Sequence, residues 1–181
     1  DMASPQIITV SGLPGSGTST ACDTLCEKLG WAYVNAGRIF RELAEESGLS
    51  LAEFGERAEA DGRIDRQLDE RILAQAKDQA PIVVEGRLTG WMASRSGLAT
   101  LKVWLAATSE VRAERVAQRE SKSAAQALKE LRVREGSEAR RYEEFHQIDI
   151  SDLSIYDVLI ETDKTDPNAV VALIMSRLKS A

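Results

Sequence analysis

The stretch Gly12-Leu13-Pro14-Gly15-Ser16-Gly17-Thr18-Ser19-Thr20 leaves this chain few folds to choose from. Before it, the apolar run Ile7-Ile8-Thr9-Val10 reads as a buried strand; after it, residues 21–29 read as a helix. Strand, glycine-rich turn and helix in that order make a phosphate-binding loop. The glycines let the backbone curl so that successive N–H groups point inward at a polyphosphate, with the positive end of the helix dipole behind them. Ser19 stands where such a loop's hydroxyl meets the Mg²⁺ that travels with a nucleoside triphosphate. Thr18 departs from the pattern, which has lysine there to carry charge to the β and γ phosphates. Either another cation supplies that charge or catalysis is weak. The alternative is a turn made glycine-rich only for tightness, and the coincidence of strand, three glycines, hydroxyl run and helix argues against it.

A chain of 181 residues suits one domain with room for mobile insertions. Its 43% hydrophobic and 29% charged residues are ordinary for a soluble globular protein. A net charge of −6 argues against a general nucleic-acid binder, whose footprint is basic. No apolar run approaches the ~18 residues of a membrane span. The opening residues 1–6 lack the basic and apolar regions of a signal peptide, so the chain reads as cytoplasmic. Cys22 and Cys26 fall on one face of the first helix. Their spacing is not that of a redox or metal pair, and they read as free thiols packed against the core.

Further along, residues 31–34 read as a second strand after the helix stop at Gly30, and Asn35-Ala36-Gly37 as a turn into a helix over 38–46. On that helix Ile39 and Leu43 face inward and Arg41 lies near the turn, placed either to fork onto a phosphate or simply to face solvent. Two more helices, 51–60 and 64–76, are separated by Asp61-Gly62-Arg63. Three helices without a strand form an insertion able to cover a second ligand. Residues 81–85 read as an interior strand ending in Glu85-Gly86-Arg87, at the carboxyl edge of a sheet where open α/β folds bind ligands. Trp91 and Met92, on the short helix that follows, read as packing residues. A fourth strand over 101–105 leads through a Thr108 cap into the most arginine-rich region, with Arg112, Arg115, Arg119, Arg132, Arg134, Arg140 and Arg141 among interleaved glutamates. Some of these face solvent in ion pairs, and the rest are candidates for the charge Thr18 lacks. A fifth strand over 157–161 and a last helix, with Val170, Leu173, Ile174 and Leu178 as its apolar face, close the chain. His146, the one histidine, falls in a polar segment, and no metal-ligand cluster is visible.

At this point the chain resembles the nucleoside monophosphate kinases, most closely the archaeal-type cytidylate kinases. Residues 12–20, Ala36-Gly37-Arg38-Ile39-Phe40-Arg41 and Glu85-Gly86-Arg87-Leu88-Thr89-Gly90-Trp91-Met92 carry the resemblance. Residues 110–115 and 152–157 extend it in the family's order over nearly the whole chain. The resemblance implies a three-layer α/β P-loop NTPase fold: one domain over 1–181, built on a five-stranded parallel sheet with helices on both faces. It also implies a helical acceptor-binding insertion at about 35–80 and a lid at about 115–134. The activity implied is transfer of the γ-phosphoryl group of ATP to CMP or dCMP, by a monomer acting in pyrimidine nucleotide metabolism, without nucleic-acid or membrane partners. Threonine in place of the loop lysine resembles that archaeal-type group.

By the same resemblance Gly12, Leu13, Pro14, Gly15, Ser16, Gly17, Thr18, Ser19 and Thr20, with Arg115 and Arg119, bind ATP, and Ser19 meets its Mg²⁺. Arg41, Arg87 and Arg140 bind the acceptor, and Arg87, Arg134 and Arg141 serve the transfer. Asp65 on the inserted helices is a candidate for reading base or sugar. Longer bacterial relatives follow the arginine of the third strand with aspartate, whereas this chain has Leu88, so that base contact is not carried over. Two other readings remain: a small-molecule P-loop kinase acting on UMP, dephospho-coenzyme A or shikimate, and a non-catalytic nucleotide-binding regulator, which the missing lysine would suit.

Overall fold

The computed structural model describes residues 4–181; residues 1–3, used above in reading the chain's start, lie outside it. Five parallel strands form one sheet in the order β2-β3-β1-β4-β5: β1 Ile7–Ser11, β2 Ala32–Asn35, β3 Ile82–Glu85, β4 Leu101–Ala106 and β5 Val158–Glu161. Successive side chains of a strand leave on opposite faces, and these strands are apolar on both. Ile8, Val10, Val83, Leu101, Val103 and Leu105 meet helix α1 (Thr18–Leu29) and the last helix, α8 (Pro167–Ser180). Ile7, Ile82, Val84 and Val34 meet α2 (Ala36–Glu46), α3 (Leu51–Ala60), α4 (Gly62–Gln79) and α5 (Thr89–Ser96). Helix, sheet, helix is the expected three-layer arrangement. Helices α6 (Ser109–Glu120) and α7 (Ala124–His146) pack on each other through Ala113, Val116, Ala117, Ala127 and Leu131.

The element ends have local causes. Gly30 closes α1 at φ 67°, a conformation that suits glycine. Thr108 caps α6 by accepting from Val111 N at 3.3 Å, and Asp166 caps α8 by accepting from Asn168 N at 2.8 Å. Where a turn was expected at Asn35-Ala36-Gly37, Asn35 alone ends β2 and caps α2 through Arg38 N, so the helix begins at Ala36. The break expected across 61–63 is likewise one residue. Asp61 ends α3 and caps α4 through Arg63 N at 3.0 Å. On α8 the buried stripe is Val170, Val171, Ile174 and Leu178, while Leu173 is 49% exposed. At 100° per residue those four fall within a 100° arc and Leu173 lies 60° outside it. Cys22 is fully buried and Cys26 partly so, both as free thiols.

Gly90 shows how closely α5 sits on the sheet. A Cβ there would stand 2.6 Å from Cε1 of Tyr156, a buried ring packed at 5.3 Å against Trp104. Overpacking costs about 1–3 kcal/mol, against about 1 kcal/mol gained in helix propensity. Gly90→Ala is therefore expected to lower stability, seen as a reduced urea midpoint at unchanged m-value; a midpoint at or above that of the parent would refute the contact. Among the described residues, no helix is long and apolar enough to cross a membrane.

Candidate active site

Strand register brings the chemistry to one edge of the sheet. Val10 pairs with Glu85 across β1 and β3, and Asn35 pairs with Glu85 across β2 and β3. The loop that leaves β1 therefore starts beside a carboxylate. Glu85 is 6% exposed, and donors from three segments converge on it. Thr18 Oγ1 donates to its Oε2 at 2.7 Å and Ser19 Oγ to the same oxygen at 2.9 Å. Asn35 Nδ2 donates to Oε1 at 2.7 Å, joined there by the Tyr33 hydroxyl. Burial and then the bond to Glu85 hold the Tyr33 phenol well above its usual pKa, so it stays a donor. A buried carboxylate needs such company, since ionised carboxylates only accept. Position 18 is thus tied to an acid rather than supplying a base.

The glycine loop is held from outside by its carbonyls. Arg87 Nη1 donates to Gly12 O at 3.1 Å, Arg112 Nη1 to Pro14 O at 3.3 Å, and Arg115 Nη1 to Gly15 O at 3.0 Å. Thr162 Oγ1 donates to Ser16 O at 2.8 Å and accepts from Arg115 at 3.0 Å. Carbonyls drawn outward turn the intervening amides toward the enclosed side. Gly15 and Gly17 take φ 85° and 87°, and a Cβ on Gly15 would meet Arg112 O at 2.7 Å. The loop lacks its lysine but carries three guanidinium groups against it.

Beyond the loop opens a cleft of about 410 Å³, lined near Gly12 and Thr18 by Glu85, Arg87, Arg134 and Glu138. Arg87 Nε pairs with Glu138 Oε2 at 3.1 Å, and Arg134 Nε with Glu138 Oε1 at 2.9 Å. Burial alone would lower the Arg87 pKa, but Glu138 and Tyr142 outweigh it and raise it; burial alone would raise Glu138, but Arg87 and Arg134 bring it down. Both groups stay charged. Arg112, only 4% exposed, pairs with Glu135 one turn before Glu138 on α7. The cleft is also lined by Glu59, Asp65 and Asp69 and by the apolar Phe40, Leu68, Ile72 and Met92.

Of the residues singled out in the sequence, the loop, Arg87, Arg134, Arg141 and Asp65 gather around this cleft, and Arg115 grips the loop from behind. Arg41 does not line it. It is exposed on α2, its guanidinium turned back toward Gly37. Arg119 and Arg140 are exposed and make no hydrogen bond or ion pair among the described residues. His146, expected in a polar segment, is buried at the end of α7. Trp91 is half-buried with Arg95 over its ring at 5.7 Å, and Met92 is buried as a packing residue. Arg112, one of the arginines offered for the missing charge, grips the loop, and Glu85, Tyr33, Asn35, Glu138 and His146 join the site without having been singled out for it. Only Glu85 carried a usable signal, an acid ending a buried apolar strand.

Comparison with known proteins agrees with this geometry. Residues 7–164 match the cytidylate kinase-like family. A cytidylate kinase of Methanobrevibacter smithii is 47% identical over 174 residues, covering 96% of this chain and 99% of that protein. One from Halobacterium salinarum is 46% identical over 170 residues, covering 94% and 88%. Among solved structures, shikimate kinase from Acinetobacter baumannii superposes with a TM-score of 0.62 over 97% of this chain and 94% of that one. At 15% identity it attests the P-loop kinase fold alone. A family match over residues 7–164 and relatives 46–47% identical over nearly the whole chain lead to one conclusion: this chain belongs to the cytidylate kinase-like family.

Proposed function

We propose that this chain transfers the γ-phosphoryl group of ATP to the 5′-phosphate of CMP, and of dCMP, releasing ADP and the diphosphate. One observation carries the reading: Arg87 and Arg134 converge over the phosphate loop on a single anionic group, the Glu138 carboxylate. A phosphate oxygen has the charge and acceptor capacity to take that place. An acceptor phosphate is already an anion and needs no strong base; what it needs is in-line alignment with the donor and cancelled repulsion. The loop amides hold the donor, Arg87 holds the acceptor, and Arg134 on α7 adds charge as the transfer proceeds, while Arg141 stands beside Asp65. Arg112 and Arg115 set the loop's shape and give it the positive surroundings that position 18 does not. Helices α2–α4 serve as the acceptor-binding insertion, and the α6–α7 turn serves as the lid that excludes water. Arg41, its guanidinium beside the cleft-lining Gly37, is a further candidate for the acceptor phosphate.

The residues present fit Mg²⁺. The Ser19 hydroxyl and the Glu85 carboxylate stand 2.9 Å apart at the loop and are hard oxygen donors of the kind Mg²⁺ takes. They would hold the ion that arrives with ATP, which supplies neutralising charge between the donor phosphates.

The test is stoichiometric: with Mg-ATP and CMP the protein should yield CDP and ADP in equal amounts. ATP binding without acceptor-dependent ADP would instead mark a nucleotide-binding regulator. Thr18→Lys tests the departure in the loop. A lysine at 18 would face the Glu85 oxygen 2.7 Å from the present hydroxyl and pair with it, so activity is expected to stay level or fall. A gain of about tenfold or more would show that the natural loop is short of charge.

A further inference from the structure

Away from the phosphate loop, the acids Asp65 and Asp69 line the cleft in a structure of their own. Asp65 on α4 is 5% exposed yet lines the cleft. Its Oδ2 meets His146 Nε2 at 3.3 Å, and Arg141 Nε approaches the same oxygen at 3.4 Å without hydrogen-bond geometry. Its Oδ1 has no hydrogen-bond partner among the described residues. Asp69, one turn along α4, lies 4.0 Å from His146 Nδ1, and burial pushes its carboxyl up to about 6. His146 is fixed in turn: its ring is 8% exposed, and its carbonyl accepts from Arg95 Nη1 at 2.6 Å. A buried carboxylate is costly to keep, and here one oxygen is steadied while the other is unfilled beside apolar walls of Phe40, Leu68, Ile72 and Met92.

We propose that Asp65, steadied by His146, reads the acceptor's base by accepting a hydrogen bond from an exocyclic amino group, so that cytosine is taken and uracil refused. The inference rests on reading the cleft as the acceptor site. A ligand with its phosphate at Arg87 and its ring among the apolar walls points its outer edge at Asp65. An ionised carboxylate offers only acceptors. The 4-amino group of cytosine donates to it, whereas the 4-oxo group of uracil sets lone pairs against lone pairs in a buried place. Sites built to bond a polar group reject analogues lacking it far more strongly than apolar pockets reject a missing methylene. His146 acts through Asp65 and is a positioning residue; Asp69 adds to the negative potential that favours a donor.

The experiment compares kcat/KM for CMP and UMP in the parent, Asp65→Asn, His146→Ala and His146→Gln. A carboxamide at 65 can donate to uracil, so the CMP preference should fall by on the order of 10²-fold. His146→Ala should cut the preference about tenfold with kcat at saturating CMP little changed, and His146→Gln, which keeps a donor, should restore most of it. A substrate-side measurement needs no variant: the pyrimidin-2-one nucleotide, CMP without its amino group, should be a poorer acceptor by about 10²-fold. Equal use of that analogue, or a CMP preference within threefold of the parent in a folded Asp65→Asn, overturns the inference while leaving the kinase reading intact. A parent protein that ignores CMP altogether overturns the kinase reading itself.

Discussion

Arg87→Ala is expected to lower kcat/KM for CMP by on the order of 10²–10³-fold, about 3–4 kcal/mol of transition-state stabilisation. The guanidinium spans the phosphate loop and the cleft. It is bonded to the donor loop at Gly12 O and extends over the cleft to Glu138, with its side chain 20% exposed. Removing it takes away a charge-assisted fork and leaves Glu138 facing the incoming phosphate with one guanidinium fewer. In the proposed role Arg87 meets the bound acceptor and the charge that develops, so both kcat and KM should suffer. Arg87→Lys keeps the charge but cannot span Gly12 and Glu138 with one planar group, and should recover only part of the loss. Steady-state kinetics on protein shown to be folded by its denaturation midpoint decides the matter. A change under threefold would make Arg87 a structural strut.

Glu85→Gln should lower kcat by on the order of 10²-fold and raise the Mg²⁺ concentration needed for half-maximal rate. Every group around Glu85 donates to it: Thr18 and Ser19 on one oxygen, Tyr33 and Asn35 on the other. Glutamine replaces one acceptor by a donor, so whichever way its amide is turned, one pair of neighbours loses its bond. An unsatisfied buried polar group costs about 1–3 kcal/mol, and the two hydroxyls can relieve some of that by turning. The charge beside the metal position cannot be relieved. Unchanged Mg²⁺ dependence with kcat within threefold would reduce Glu85 to a peg for the loop. Glu85→Asp, which keeps the charge but draws it back by one methylene, should fall between the two.

The parts of this site legible in the sequence are those whose geometry is local. The phosphate loop needs only its own residues and the strand and helix that flank it. The position of Arg87 follows from a further rule, that strand ends of an open parallel sheet share one edge, and β1 and β3 are indeed neighbours. Contacts over long separations left no such trace. Arg112 reaches Pro14 across 98 residues, His146 reaches Asp65 across 81 and Glu138 reaches Arg87 across 51. In the sequence these residues sit in helices where charges of both signs alternate, and Arg134–Glu138 is the i,i+4 pair such a pattern predicts. Nothing in the alternation separates that pair from Arg112, buried on α6 against the loop. His146 was hidden differently, since its neighbours at 143, 144 and 147 are exposed and only the helix end turns inward. Leu173 misled in the other direction, an apolar residue one step off the buried stripe.

Phosphoryl transfer from ATP to a cytidine monophosphate is read out by a single coupled assay of ADP formation. Mg-ATP is offered with CMP, dCMP, UMP, AMP, GMP, dephospho-coenzyme A, shikimate or no acceptor, side by side. Turnover is expected with CMP and dCMP at least about 10²-fold above UMP in kcat/KM, with only a background rate when no acceptor is offered. Equal or better turnover with shikimate, dephospho-coenzyme A or UMP would contradict it, as would silence with every acceptor from a protein that binds ATP.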